Sequence, residues 1–256
     1  MSVAALHLAV LSILGLSVGS FLNVCVHRVP LGESLVRPGS RCPHCGYALR
    51  WFDNVPLVSY ALLRGRCRRC REPISIRYPA LELATLAVFI VHGAVFGWSA
   101  LLVVRLVFAC AMIVLFAIDL EHHLLPDVIT LPGIVAGLAA SVALPPGIVD
   151  ALLGILIGGG VLWAIGEVYF RVSGQEGMGG GDVKMLAMIG AFLGWKLVLV
   201  TLVLSSVAGS LIGILVMALK RGGMKYALPY GTFLALGALA ASLAGDRLIR
   251  WYMSFY

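Results

Sequence analysis

The chain has 256 residues, of which 61% are hydrophobic and only 12% charged, with a formal net charge of +7. A soluble domain carries roughly one charged residue in four, so this composition excludes an ordinary soluble protein. Apolar runs recur along the chain, several near the ~20 residues needed to cross a bilayer, and the expected class is an all-α polytopic membrane protein with about eight transmembrane segments.

The first apolar run covers residues 4–26. No basic residue precedes it and no small-residue cleavage pattern follows it, so it is expected to be a retained span rather than a signal peptide. Residues 27–79 then hold ten arginines against Glu33, Asp53 and Glu72, which places the whole formal charge of +7 in one segment. Basic loops stay on the cytoplasmic side, and such a patch suits contact with anionic membrane lipid. No aromatic platform of the kind that stacks single-stranded bases accompanies it, which argues against a nucleic-acid partner.

Inside that segment stand Cys42-Pro43-His44-Cys45 and Cys67-Arg68-Arg69-Cys70. Two such pairs point to a tetrahedral zinc site, each turn presenting two thiolates. A closed shell of Cys42, Cys45, Cys67 and Cys70 has no open position for water, so the zinc is structural. His44 is expected to face solvent. A reducing cytoplasmic face argues against disulfides. A polar loop of ~50 residues has too little apolar content to fold without a staple, so a small zinc-ribbon-like domain is expected here. Cys25 and Cys110 lie in apolar spans and are expected to be packing residues.

The second and third predicted spans, 80–96 and 100–118, are separated by Gly97, Trp98 and Ser99. Asp119 ends the third. A polar loop through Asp127 leads to the fourth, 128–144, and Pro145, Pro146 and Gly147 turn the chain into the fifth, 148–170. The sixth, 183–193, follows a glycine-rich loop, begins just after Asp182 and is short for a crossing. The seventh covers 197–219. Lys220, Arg221 and Lys225 mark another loop before the eighth, 230–248. With the N-terminus outside, the loops 27–79, 119–127, 171–182 and 220–229 all fall inside, which agrees with the positive-inside tendency. Asp119 and Asp182 then share the cytoplasmic face. A re-entrant sixth segment would move the C-terminus to the other side.

A carboxylate at membrane depth is costly and usually functional. Two that converge from separate spans form a proton-sharing pair, the chemistry of an aspartic protease. One sits at a helix C-terminus and the other at a helix N-terminus, which gives the two unequal proton affinities, as a general acid and a general base require. Capping competes as an explanation for Asp182, and is expected for Asp127 after Pro126. Glu121, His122 and His123 are expected to face water. A different class, a proton-coupled transporter with a regulatory zinc-ribbon domain, also uses intramembrane aspartates, but it would need acidic or polar groups at mid-depth.

At these residues the chain resembles the type IV prepilin peptidases, a GxGD-type family of membrane aspartic proteases. GSFLNVCVHRVP (19–30), the four-cysteine loop, ISIRYPALE (74–82), DLEHHLLPD (119–127) and GMGGGDVKMLAMIGAFLGW (177–195) carry the resemblance, in order, over nearly the whole chain. It implies a bifunctional enzyme of the bacterial inner membrane. Such an enzyme cuts the basic leader from prepilins or pseudopilins with an apolar N-terminal helix, on the cytoplasmic side. It then methylates the new N-terminal residue, usually Phe, from S-adenosylmethionine. Asp119 and Asp182 take the catalytic roles, and Gly65 and Glu82 are candidates for the methyl-transfer part. The implied organisation is a first span at 1–26, a zinc-binding, methyltransferase-associated domain at 27–79, and a transmembrane aspartic peptidase domain at 80–256.

Overall fold

The computed structural model describes residues 3–174, 179–219 and 229–255. Residues 175–178 of the glycine-rich loop, and the basic residues Lys220, Arg221 and Lys225, lie outside the described residues. The named elements are helical: α1 (Val3–Arg28), α2 (Val58–Leu62), α3 (Arg77–Phe96), α4 (Ala100–His122), α5 (Asp127–Ser141), α6 (Ile148–Ser173), α7 (Gly180–Leu219) and α8 (Tyr230–Met253), with a 3-10 turn at Trp51–Asp53. Six of these helices are long and apolar enough to cross a membrane. The eight expected apolar segments are all present, two of them joined in α7. The chain forms two compact units, one running to Leu102 and the other starting at Val103.

In the first unit α1 packs on α3. Glycines at four-residue spacing make the contact close: a Cβ at Gly15 would lie 3.0 Å from Leu86 Cα, and one at Gly19 would lie 2.9 Å from Glu82 Cα. Small residues at this spacing let membrane helices approach, where no hydrophobic force draws them together. Between the two helices the chain makes two similar turns, each closed by an isolated bridge, Arg41 with Ala48 and Arg66 with Pro73.

In the second unit α7 is central. An unbroken helix of its 40 residues would be about 60 Å long, twice the hydrocarbon core. The chain breaks it at Gly194, whose φ of 78° and ψ of 170° are essentially open only to glycine. The first leg, 180–193, is thereby separated from the second, 195–219, which is why the sequence shows a short sixth segment and a full seventh. Residues 185–194 are all buried, among Phe108, Met112 and Leu115 of α4 and Leu234, Ala235 and Ala238 of α8. Where α6 crosses this leg there is no room for side chains: a Cβ at Gly190 would lie 2.2 Å from the Gly154 carbonyl oxygen.

A helix end inside an apolar core leaves carbonyls that must be satisfied by protein groups. Here Ser141 Oγ donates to Ala191 O at 3.0 Å, and Arg105 Nη1 donates to Phe192 O at 3.3 Å. The cation also meets the negative end of the leg's dipole. The buried Arg105 is thus part of the architecture that anchors the first leg.

Candidate functional site

Asp119 lies in the last turn of α4 and is 5% exposed. Its Oδ2 accepts the backbone N–H of Thr232 at 2.6 Å and the Thr232 hydroxyl at 3.1 Å. These donors come from the first turn of α8, where backbone N–H groups have no helical partner. Gly231 allows the approach, since a Cβ there would sit 2.9 Å from Asp119 Oδ2.

Asp182 is half-buried in the first turn of α7, its N–H bonded to Gly179 O at 3.1 Å. It lies near enough to Asp119 for the charge of one to act on the other. Leu125 fills the space between the segments that carry them. A Cβ on Gly181 would meet Leu125 Cβ at 2.9 Å, and one on Gly231 would meet Leu125 Cδ1 at 2.9 Å. The sequence strings 119–127 and 179–184 therefore meet at the N-terminus of α8.

Glu121, His122 and His123 are exposed, as expected. Asp127 stands one place inside α5, behind the N-cap residue Pro126, so its carboxylate is not at the capping position. It instead takes Lys184 Nζ at 2.8 and 2.7 Å on its two oxygens. Lys184 and Thr232 were missed in the sequence. A cation two residues from Asp182 is a local signal for the first. Nothing local marks Thr232, which lies 113 residues from Asp119.

The four cysteines of the first unit come together. Cys42 Sγ lies 3.8 Å from Cys70 Sγ and Cys45 Sγ 4.0 Å from Cys67 Sγ, with all four sulfurs within 4.8 Å. A disulfide would need about 2.0 Å. A tetrahedron with Zn–S bonds of about 2.3 Å has sulfur–sulfur edges of about 3.8 Å, so this shell has the dimensions for zinc. N–H groups of Cys70 and Arg69 lower the Cys67 thiol to about 6. The Glu72 N–H favours ionised Cys70, but burial and the neighbouring sulfurs outweigh it and push that thiol to about 12.

Asp53 ties the two cysteine turns together. Arg68 Nε lies 2.6 Å from its Oδ1, while Tyr47 Oη and Arg50 N–H donate to its Oδ2 at 3.3 and 3.2 Å. Burial works against its charge, but these donors hold the carboxyl below the usual carboxylate range.

Gly65 and Glu82 belong to the same unit. Gly65 has a φ of 67°, and a Cβ there would strike Tyr60 Oη at 2.9 Å. Its N–H bonds to Tyr60 O at 2.8 Å, and Glu82 Oε2 accepts the Leu57 N–H at 2.8 Å. Leu57 and Tyr60 bracket the start of α2, so this short helix joins the two candidates. Near Glu82 on the α1–α3 contact, Asn23 donates to Tyr78 O, while its Oδ1 is buried with no hydrogen-bond partner among the described residues. A buried carboxylate and a free amide oxygen have the chemistry to face a cationic methyl donor.

Comparison with known proteins follows the same division. Residues 13–96 match the family model described as bacterial peptidase A24 N-terminal domain, and residues 106–214 match the type IV leader peptidase family. A prepilin leader peptidase/N-methyltransferase of Myxococcus xanthus is 45% identical over 217 residues, covering 83% of this chain and 64% of that protein. Proteins of the same description from Pseudomonas aeruginosa and Aeromonas hydrophila are 38% and 36% identical, covering 95% and 97% of this chain and 92% and 94% of theirs. No solved structure matches the chain.

Proposed function

The chain belongs to the type IV leader peptidase family, and on that premise we propose that it is a bifunctional membrane enzyme that removes the leader from prepilins or pseudopilins and then N-methylates the new N-terminus. The observation that supports the peptidase reading is the convergence, on Leu125 and Gly231, of the ends of α4 and α7 that carry Asp119 and Asp182.

One carboxylate, ionised, takes a proton from water as the water attacks the scissile carbonyl. The other, protonated, donates to the carbonyl oxygen, and the proton taken from water goes to the leaving amine. Asp119 is held dry by Thr232, and Asp182 is the more exposed of the two, which gives water a route to the pair from the side of α7. The apolar helix of the substrate lies among the spans, with its basic leader at the cytoplasmic mouth. The arginine-rich segment 27–79 supports that orientation in a bacterial inner membrane.

The first unit is the methyl-transfer part. Cys42, Cys45, Cys67 and Cys70 would hold a structural zinc, which would fix the two turns that position Gly65 and α2. S-adenosylmethionine, when bound, supplies the methyl group from a sulfonium. Glu82 would offer that cation a buried carboxylate, and Gly65 leaves room for the Tyr60 ring of α2. The methyl-transfer part therefore takes in residues 1–26 as first span, 27–79 as zinc-binding domain and α3 with Glu82, and the peptidase part begins with α4.

Mass spectrometry of a purified prepilin incubated with the enzyme, with and without S-adenosylmethionine, tests both activities. The expected products are a mature chain shortened at the leader, and the same chain heavier by one methyl group when the donor is present. An intact precursor in both samples would overturn the reading.

A further inference from the structure

We propose that Thr232 is a positioning residue for Asp119, pinning Oδ2 so that Oδ1 is the oxygen that exchanges protons during cleavage. The proposal rests on Asp119 being one of the catalytic pair.

The geometry is specific. Oδ2 takes two donors from one residue, the N–H at 2.6 Å and the hydroxyl at 3.1 Å. A carboxylate oxygen has two lone-pair directions, so both are engaged and the plane of the carboxyl group is fixed. Oδ1 is left to share a proton with water or with Asp182. Gly231 completes the cradle by leaving the space that Oδ2 enters.

Other buried threonines of this chain behave differently. Thr85, Thr130 and Thr201 return their hydroxyls to the carbonyl four residues earlier, at 2.8, 3.4 and 2.8 Å. That is the ordinary use of a hydroxyl inside a helix. Thr232, in the first turn of α8, reaches across 113 residues instead. It is 5% exposed, so bulk water does not stand ready to replace its hydroxyl. A carboxylate freed from this contact turns about its Cβ–Cγ bond and spends less time in productive orientation. The cost falls on the chemical step rather than on peptide binding.

The test is a graded series at one position, on full-length enzyme in detergent with a prepilin peptide. Thr232→Val keeps the shape and the N–H but removes the hydroxyl. Thr232→Ser keeps the hydroxyl, and Thr232→Cys offers a weak donor in its place. Thermal unfolding of each variant confirms that folded enzyme is compared. The expected result is a fall in kcat of about ten-fold or more for Val, with KM changed by less than about two-fold. Ser should stay near wild type and Cys should fall between. The kcat–pH profile should move in Val and not in Ser. Asp182 and His123 also act on the charge of Asp119, but they are the same in every variant. Wild-type kcat and pH profile in Val would overturn the proposal. So would equal losses in Val and Ser, because the loss would then follow packing and not the donor. Should Val fail to fold, the order of wild type, Ser and Cys decides the matter alone. Cleavage by Asp119→Asn would instead sink the peptidase reading beneath it.

Discussion

Gly190 gives the sharpest test of how the fold carries the peptidase site. A methyl group placed there would lie 2.2 Å from Gly154 O and 2.3 Å from Gly154 C, both rigid backbone atoms of α6. Carbon contacts settle at about 3.5–4.0 Å, so Gly190→Ala forces the helices apart by roughly 1 Å. Overpacking of this kind costs about 1–3 kcal/mol. Gly160, six residues along α6 on another face, has no atom within 4 Å of its Cβ position, so Gly160→Ala should be neutral or gain up to about 1 kcal/mol of helix propensity. The two variants should differ by about 1–4 kcal/mol, which shifts the melting temperature by roughly 2–4 °C per kcal/mol. Asp182 sits about 12 Å along the same leg from Gly190, and displacing the leg moves it away from Asp119. Prepilin cleavage should therefore fall in Gly190→Ala and stay intact in Gly160→Ala. Equal melting temperatures and equal cleavage rates for the two variants, measured in one detergent, would refute the reasoning.

Asp119→Asn and Asp182→Asn should each abolish cleavage in folded, membrane-inserted protein, since Asn cannot exchange the proton; near wild-type cleavage by either, read by gel shift of a prepilin, would remove that residue from the pair. Asp127→Asn should be mild, because its partner Lys184 is about half exposed and such ion pairs contribute no more than about 1 kcal/mol. Elemental analysis should find one zinc per chain, and Cys45→Ser should lose it and lower methylation before cleavage, because metal binding supplies the folding free energy of that domain; a metal-free protein with intact methylation would count against it. The pH dependence of kcat for cleavage should be bell-shaped, because one carboxylate must be charged while the other keeps its proton. A profile with a single limb, measured on a short prepilin peptide, would argue against a shared-proton pair.

What the sequence made legible was whatever has a short period or a fixed spacing. Cys42, Cys45, Cys67 and Cys70 announce themselves as pairs, and the two aspartates stand where apolar runs stop. The break in α7 was half visible. The shortness of 183–193 showed, but not that Gly194 would continue the chain with a φ of 78° directly into the next leg. The need for glycine there also comes from a distant neighbour, since a Cβ would lie 2.8 Å from Pro146. Asp127 looked like a cap because Asp after Pro usually is one. A long-range partner, Lys184, won its carboxylate instead. Thr232 could not have been found by any local rule, since its meaning depends on a contact across 113 residues.

The two ends of the first leg of α7 solve opposite problems. At Phe192 and Ala191 the end is buried, and free carbonyls would be intolerable there; Arg105 and Ser141 satisfy them without water. At Gly179 to Asp182 the end opens toward the polar loops, and Asp182 is left half-exposed. Hydrolysis needs a water at the second end, and an aspartate pair works only if both carboxyl groups keep fixed positions relative to that water. Anchoring the leg at its dry end, and crowding it with Gly154 and Gly190 along its length, holds Asp182 in place without closing the wet end. Asp119 is fixed in the complementary way, by the backbone and hydroxyl of Thr232, on the side from which water is kept out.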